Sequence, residues 1–271
     1  MALRESINLV SIRLLQEVGI QQTIDTAMRF GFDKEQLPTT LSLALGSGYA
    51  APLKMAEAYA VIANGGFGVK PYLIDQIEDH EGNVLFQANP GEACGDCPEN
   101  NAAESAQPNR VISPKISFLM NSLLRDVVQR GTATQAKQLG RMDLAGKTGT
   151  TNEMRDVWFN GYAGGIVASA WLGFDNSTPL GKGETGGKAA LPMWIEFMKA
   201  ALDDVPEQEL TKPEGIVDAY INPADGLLAN PGNSHGIWEY FTQETAPTVF
   251  SSPKPRMEPT AEEDKIEDAL F

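Results

Sequence analysis

The sequence predicts an α+β fold in which an antiparallel sheet is laid against helices. Residues 144–151, 158–162 and 166–174 read as strands, and the last two are joined by the tight turn Gly164-Gly165, so neighbouring strands run antiparallel. Helical patterns come in blocks before and after these strands and do not alternate with them, which disfavours a parallel βαβ sheet. At 271 residues, 42% hydrophobic and 21% charged, the chain can bury one large core or two small ones, and wholesale disorder is excluded.

Taken in order, residues 6–32 read as two short helices broken near Gly19, the second carrying Ile24, Ala27 and Met28 on one face and stopped by Gly31. Residues 50–66 form a helix with Pro52 in its first turn, Leu53, Ala56, Tyr59, Ala60 and Ala63 at helical spacing, and Asn64-Gly65-Gly66 as its stop. Residues 72–77 and 84–87 flank His80-Glu81-Gly82-Asn83 as a hairpin. Ser113 and Pro114 open a helix whose stripe of Ile116, Leu119, Met120, Leu123, Leu124, Val127 and Val128 is expected in the core. Residues 192–202 form a helix expected to be buried through Trp194, Phe197, Met198, Ala201 and Leu202. Residues 216–221 and 237–241 have strand character around Asn222-Pro223-Ala224-Asp225-Gly226. The organisation expected is a main domain over 1–202, an extension over 203–250 docked upon it, and a disordered, acidic and proline-rich tail over 251–271. Trp158, Phe159, Tyr162 and Trp171 are read as core aromatics without a binding role.

The balance of 21 Lys and Arg against 36 Asp and Glu leaves a net charge of −15, which argues against a nucleic-acid or anionic-membrane surface. No run of about 20 apolar residues is present to span a bilayer. An apolar helical pattern begins almost at Met1, so the chain is expected to be cut at its N-terminus. Cys94 and Cys97 fall in a loop over 89–108; a small-loop disulfide is the favoured reading, two free thiols the alternative, and a zinc site lacks two ligands because His80 and His235 are unsuitably spaced.

The informative segment is Lys147-Thr148-Gly149-Thr150-Thr151. A phosphate-binding loop ending in Gly146-Lys147-Thr148 would need glycine at 141, where Arg141 stands, and would have to open a helix. A K-T-G strand of an acyl-transferring serine enzyme fits instead. Such a site needs a cation beside the nucleophile, hydroxyls for a substrate carboxylate, and a residue without Cβ where a peptide lies along the strand as an added edge. Lys147, Thr148 with Thr150, and Gly149 supply these, and the Thr150 N–H is a candidate oxyanion-hole donor. Ser6-Ile7-Asn8 matches S-x-N. A chain of this size contains on the order of one S-x-N by chance, against roughly 0.003 for a given K-T-G-T, so its weight comes from its place upstream of Lys147 and directly before a helix. Ser6 as a mere helix cap is the competing reading.

With these motifs stand Asp156-Val157-Trp158-Phe159-Asn160-Gly161-Tyr162, Leu43-Ala44-Leu45-Gly46-Ser47, Ala56-Glu57-Ala58-Tyr59-Ala60, Arg130-Gly131-Thr132 and Gly186-Gly187 with Pro192-Met193-Trp194. Together they make the chain, over about residues 3–202 and weakly to about 245, resemble the C-terminal part of the transpeptidase domain of class A penicillin-binding proteins. The resemblance implies the penicillin-recognising serine-enzyme fold shared with β-lactamases, an antiparallel sheet with a helical subdomain. It implies peptidoglycan D,D-transpeptidation: acylation by a D-Ala-D-Ala donor stem peptide with loss of D-alanine, then attack by a neighbouring stem-peptide amine. By resemblance, Ser6 relays a proton, Asn8 holds the donor amide, Lys147 tunes Ser6, and Thr148, Gly149, Thr150 and Thr151 bind substrate. No cofactor and no metal is implied. Partners are stem peptides, β-lactams and cell-wall assembly proteins, with no nucleic acid. The implied location is the periplasmic side of the bacterial inner membrane, reached through an N-terminal anchor missing here together with a glycosyltransferase domain.

The family's nucleophile and base occupy S-x-x-K upstream of S-x-N, and only five residues precede Ser6. The one literal match, Ser251-Ser252-Pro253-Lys254, follows the K-T-G strand and is broken by proline. The fragment alone is therefore expected to be inactive. A non-catalytic peptidoglycan- or partner-binding module is the alternative from another class. A serine β-lactamase is a further one, though no E-x-x-L-N stretch supplies a deacylating carboxylate.

Overall fold

The computed structural model describes residues 1–90, 109–232 and 235–252. The proposed pairing of Cys94 with Cys97 and most of the expected tail lie outside the described residues. The chain divides into two compact units, Met1–Gly215 and Ile216–Phe271. Residues 203–215, grouped by sequence with the extension, therefore belong to the first unit.

In the first unit, helices α1 (Asn8–Val18), α2 (Ile20–Arg29) and α3 (Pro52–Ala63) are followed by the hairpin β1 (Gln76–Glu78) and β2 (Val84–Gln87), then α4 (Pro114–Arg130). The sheet β3 (Ala145–Thr150), β4 (Asp156–Ala163) and β5 (Ile166–Gly173) comes next, and α5 (Leu191–Ala201) closes the order. The three strands pair antiparallel in sequence order, so β3 is an edge strand of this sheet. Gly19 separates α1 from α2 at φ 94°, a conformation open to glycine and costly for other residues. The β1 strand is shorter than expected, and the Asp79 carboxylate closes its turn by accepting from the backbone N–H groups of Glu81 (2.9 Å) and Asn83 (2.8 Å).

Strand alternation sorts the sheet into two faces. Val157, Phe159 and Ala163 of β4 pack against Leu191, Trp194, Ile195 and Met198 of α5. Trp194 meets Phe159 edge-on at 4.9 Å between centroids, and its Nε1 donates to the Ala168 carbonyl at 3.1 Å, so the largest buried ring also satisfies its polar atom. The other face, with Ala145 and Tyr162, packs against Leu124 and against Tyr59, Ile62 and Ala63 of α3.

Two helices present different faces from those expected. On α4, Leu124, Val127 and Val128 are buried as expected, but Ile116 is 45% exposed while Ser117, Phe118 and Asn121 are buried. The helix is covered from more than one side, and the Ser117 hydroxyl donates to the Ile62 carbonyl of α3 at 2.9 Å. On α5, Phe197 is 55% exposed and Ile195 takes its place, because the buried series starts one residue earlier, at Leu191. Ser113 caps α4 as expected, accepting from Ile116 N at 3.3 Å.

Residues 203–215 are tied to the sheet by a buried carboxylate. Asp143 accepts from Arg141, from Gly164 N and from Gln208 N, the last two at 3.0 Å. Burial pushes its pKa up, but these donors outweigh that and hold it below the usual carboxylate value.

The second unit contains the antiparallel hairpin β6 (Ile216–Ile221) and β7 (Ile237–Thr242). Ser251, the first residue of the expected tail, is buried there; its hydroxyl donates to Asp225 Oδ2 at 2.6 Å and accepts from Asn222 Nδ2 at 2.8 Å.

Replacing Trp194 by Ala removes both the ring contact and the hydrogen bond, and is expected to cost about 3–5 kcal/mol. Urea unfolding of the chain with and without Trp194→Ala measures this; a loss below about 1 kcal/mol would contradict the packing described.

Candidate active site

Alternation along β3 places Lys147 on the face shared with Tyr162, and Thr148 and Thr150 on the opposite face. The site thus straddles one edge strand. The segment before α1 brings the second motif to it. Its backbone turns tightly, with Ser6 N bonding to Leu3 O (3.2 Å) and Ile7 N to Ala2 O (3.0 Å), and Ser6 adopts φ 54°. A non-glycine residue in this left-handed region carries local strain, which the surrounding contacts must hold.

Those contacts are present. Arg4 Nη1 donates to Asp126 of α4 at 3.3 Å, and Thr132 N to the Arg4 carbonyl at 3.4 Å. Gly131 passes so close that a Cβ there would lie 2.6 Å from the Arg4 carbonyl oxygen, which requires glycine. Held in this way, the Ser6 hydroxyl accepts from Lys147 Nζ at 2.9 Å. The same ammonium donates to the Thr148 carbonyl at 3.0 Å. Ser6 does not cap α1, whose N-cap is Ile7 with no side-chain cap bond. Burial lowers the Lys147 pKa below its ordinary value, since a low-dielectric setting disfavours the charged amine.

The hydroxyls on the opposite face are also oriented. Gly186 N donates to Thr150 Oγ1 at 3.0 Å, which leaves the Thr150 hydrogen free to donate outward. A Cβ on Gly186 would collide with the carbonyl oxygens of Gly149 and Trp158, so glycine permits this approach. Thr148 Oγ1 lies 2.7 Å from Thr132 Oγ1. Thr151 is different: its Oγ1 donates to Asp156 O at 3.2 Å and accepts from Asp156 N at 2.8 Å, so it closes the β3–β4 connection. Asn8, the first residue of α1, lines the same groove as Ser6, Lys147, Gly149 and Thr150, with a volume of about 580 Å³. The structure therefore brings together all the residues singled out by sequence.

Sequence reasoning missed the walls of the site. A neighbouring cavity of about 360 Å³ lies along the Lys147 side of β3, lined by Trp158, Asn160, Tyr59, Met55 and Tyr49 among others. Trp158 is half-buried and lines this cavity, so it is not a core aromatic as expected; it pairs with Gly149 and lies on the Lys147 face. The parity of β4, counted from Phe159 in the core, was the signal that could have found it. Arg4, Asp126 and the Thr132 hydroxyl carry no such signal. Among the described residues, no group of three or more His, Cys, Asp or Glu could hold a metal ion, and no helix is long and apolar enough to cross a membrane.

Because burial destabilises its charged form, Lys147 should lose its proton at lower pH than the exposed lysines. Titration of 15N-labelled lysine side chains by NMR tests this, with a midpoint below 10.5 expected. A midpoint at or above that of the exposed lysines would show that the Ser6 bond, not burial, governs this amine.

The family model for the penicillin-binding protein transpeptidase domain matches residues 1–165, and that for the penicillin-binding protein 1A C-terminal domain matches residues 212–253. Penicillin-binding protein 1A of Pseudomonas aeruginosa is 40% identical, over 93% of this chain and 35% of its own length. The protein of the same name from Escherichia coli K12 is 35% identical, over 91% of this chain and 36% of its own. The crystal structure of penicillin-binding protein 1A from Haemophilus influenzae superposes with a TM-score of 0.86 at 38% identity, over 93% of this chain and 40% of that one. The chain thus spans about a third of the length of the curated relatives it matches. With an antiparallel edge strand bearing Lys147-Thr148-Gly149 bonded to the serine of an S-x-N motif, and with the transpeptidase model matching more than half of its residues, the chain belongs to the penicillin-binding protein transpeptidase family.

Proposed function

We propose that this chain is the substrate-binding and proton-relay part of a peptidoglycan D,D-transpeptidase that cross-links stem peptides and is acylated by β-lactams. The observation that carries the reading is the 2.9 Å bond between Lys147 Nζ and Ser6 Oγ, which joins two motifs 141 positions apart beside an edge strand. Since Ser6 accepts from Lys147, its own hydrogen remains available to pass to the leaving D-alanine amine. Asn8 holds the donor amide. Thr148 and Thr150 donate to the terminal carboxylate of the D-Ala-D-Ala donor or of a β-lactam, and the donor peptide extends along β3 past Gly149. The Thr150 N–H is one oxyanion donor.

The acylated serine is supplied by an S-x-x-K segment outside residues 1–271. Ser251, which begins the only literal match, has its hydroxyl committed to Asp225 and Asn222. In the whole protein we place this site on the periplasmic side of the inner membrane, in a chain that also carries a glycosyltransferase domain. Thr151 lines the same groove and secures the strand end through the Asp156 backbone.

Fluorescent penicillin labelling tests the reading. The full-length protein carrying this chain is expected to label, Lys147→Ala to slow labelling by roughly 100-fold or more, and residues 1–271 alone not to label. Undiminished labelling of Lys147→Ala would overturn the assigned role.

A further inference from the structure

The Arg130-Gly131-Thr132 segment is not used by the functional reading above, yet it touches both halves of the site. The Thr132 N–H reaches the Arg4 carbonyl in the segment that carries Ser6, and its hydroxyl lies 2.7 Å from that of Thr148. Gly187 passes close by, since a Cβ there would lie 3.2 Å from the Thr132 carbonyl oxygen. Thr132 is exposed, not buried in the core.

Two hydroxyls bonded to each other hold two hydrogens, and one of them occupies the bond between the oxygens. If that hydrogen came from Thr148, Thr148 could offer a substrate only lone pairs, which repel a carboxylate. If it comes from Thr132, Thr148 keeps its own hydrogen and can donate it. Thr150 is set in the same sense by a different partner, the Gly186 N–H, which can only donate and so forces the Thr150 hydroxyl to point its hydrogen elsewhere. An anionic group arriving at the two threonines selects the matching arrangement at Thr148, with Thr132 donating behind it.

We propose that Thr132 is a positioning residue for carboxylate recognition: its hydroxyl donates to Thr148 Oγ1 and thereby fixes Thr148 as a donor to the substrate carboxylate. This rests on the transpeptidase reading and adds the residue that sets its selectivity for an acid. A neutral ester at the same place gains less from an oriented donor, because charge-assisted hydrogen bonds are about twice as strong as neutral ones.

The experiment uses the full-length protein that carries this chain, with acylation rate constants measured for benzylpenicillin and for its methyl ester, in which the carboxylate is masked. Thr132→Val keeps the shape and removes the hydroxyl. It is expected to lower the acid-to-ester ratio of rate constants about tenfold, about 1.4 kcal/mol. Thr132→Ser, which restores the donor, should return the ratio to within about twofold of the unsubstituted protein. If Thr132→Val does not fold, Thr132→Ala is read in its place. An equal loss for both ligands would show that Thr132 only supports the backbone, and an unchanged ratio would show that Thr148 needs no second hydroxyl; either overturns the proposal. Failure of the unsubstituted protein to be acylated by either ligand would instead overturn the transpeptidase reading on which it stands.

Discussion

The hydrogen bond from Lys147 Nζ to Ser6 Oγ is the interaction on which the rest of the site depends. It closes a loop of 141 positions, so its entropic cost must be met elsewhere in the fold. Much of the surrounding packing does this. The Ser6 backbone is held in a left-handed conformation by the contacts of Arg4 with Asp126 and with Thr132, and by the absence of a Cβ at Gly131. Lys147 in turn is fixed by its strand, which pairs with β4 from Ala145 to Thr150 without a break in register. Burial of the amine makes its proton easier to lose, which suits the proton-relay role proposed for the neighbouring hydroxyl.

The two faces of β3 divide the labour. One carries Lys147 toward Ser6, and the other carries Thr148 and Thr150 toward Thr132 and Gly186. Neither face could be set without the core behind it. Trp194 against Phe159 fixes α5 on the sheet, and the segment leading into α5 delivers Gly186 to Thr150. A substrate carboxylate would therefore meet a Thr150 hydroxyl already oriented by the Gly186 N–H and a Thr148 hydroxyl already held beside that of Thr132, so little ordering remains to be done on binding.

Most of this architecture was legible in the residues, and the exceptions have physical causes. The K-T-G strand could be read because each residue type answers a separate chemical need, and Ser6 because its motif stands upstream of the strand and directly before a helix. The helix starts at Pro52 and Pro114 were marked by their own local chemistry. Helical periodicity failed on α4 because a helix packed on more than one side buries polar residues such as Ser117 and Asn121 alongside its apolar stripe. It failed at Phe197 because apolar residues, Ile195 and Phe197, flank the Trp194–Met198 line on both sides, and only Leu191, left out of the expected helix, marks which flank is buried. Trp158 looked like core because aromatic residues occupy both faces of β4, and only the pairing partner shows which face meets a cavity. The contacts of Thr132 with Thr148 and of Arg4 with Asp126 have no periodicity to betray them, since both arise from tertiary closure alone.

The central claim is that the edge strand 145–150 and the Ser6 segment form one carboxylate-binding, proton-relaying surface. A crystal structure of the full-length protein acylated by a β-lactam tests it most directly. The account predicts the ligand carboxylate within hydrogen-bond reach of the Thr148 and Thr150 hydroxyls, with Ser6 Oγ still bonded to Lys147 Nζ. A carboxylate bound away from these threonines, or an adduct formed with Ser6 and Lys147 apart, would contradict it.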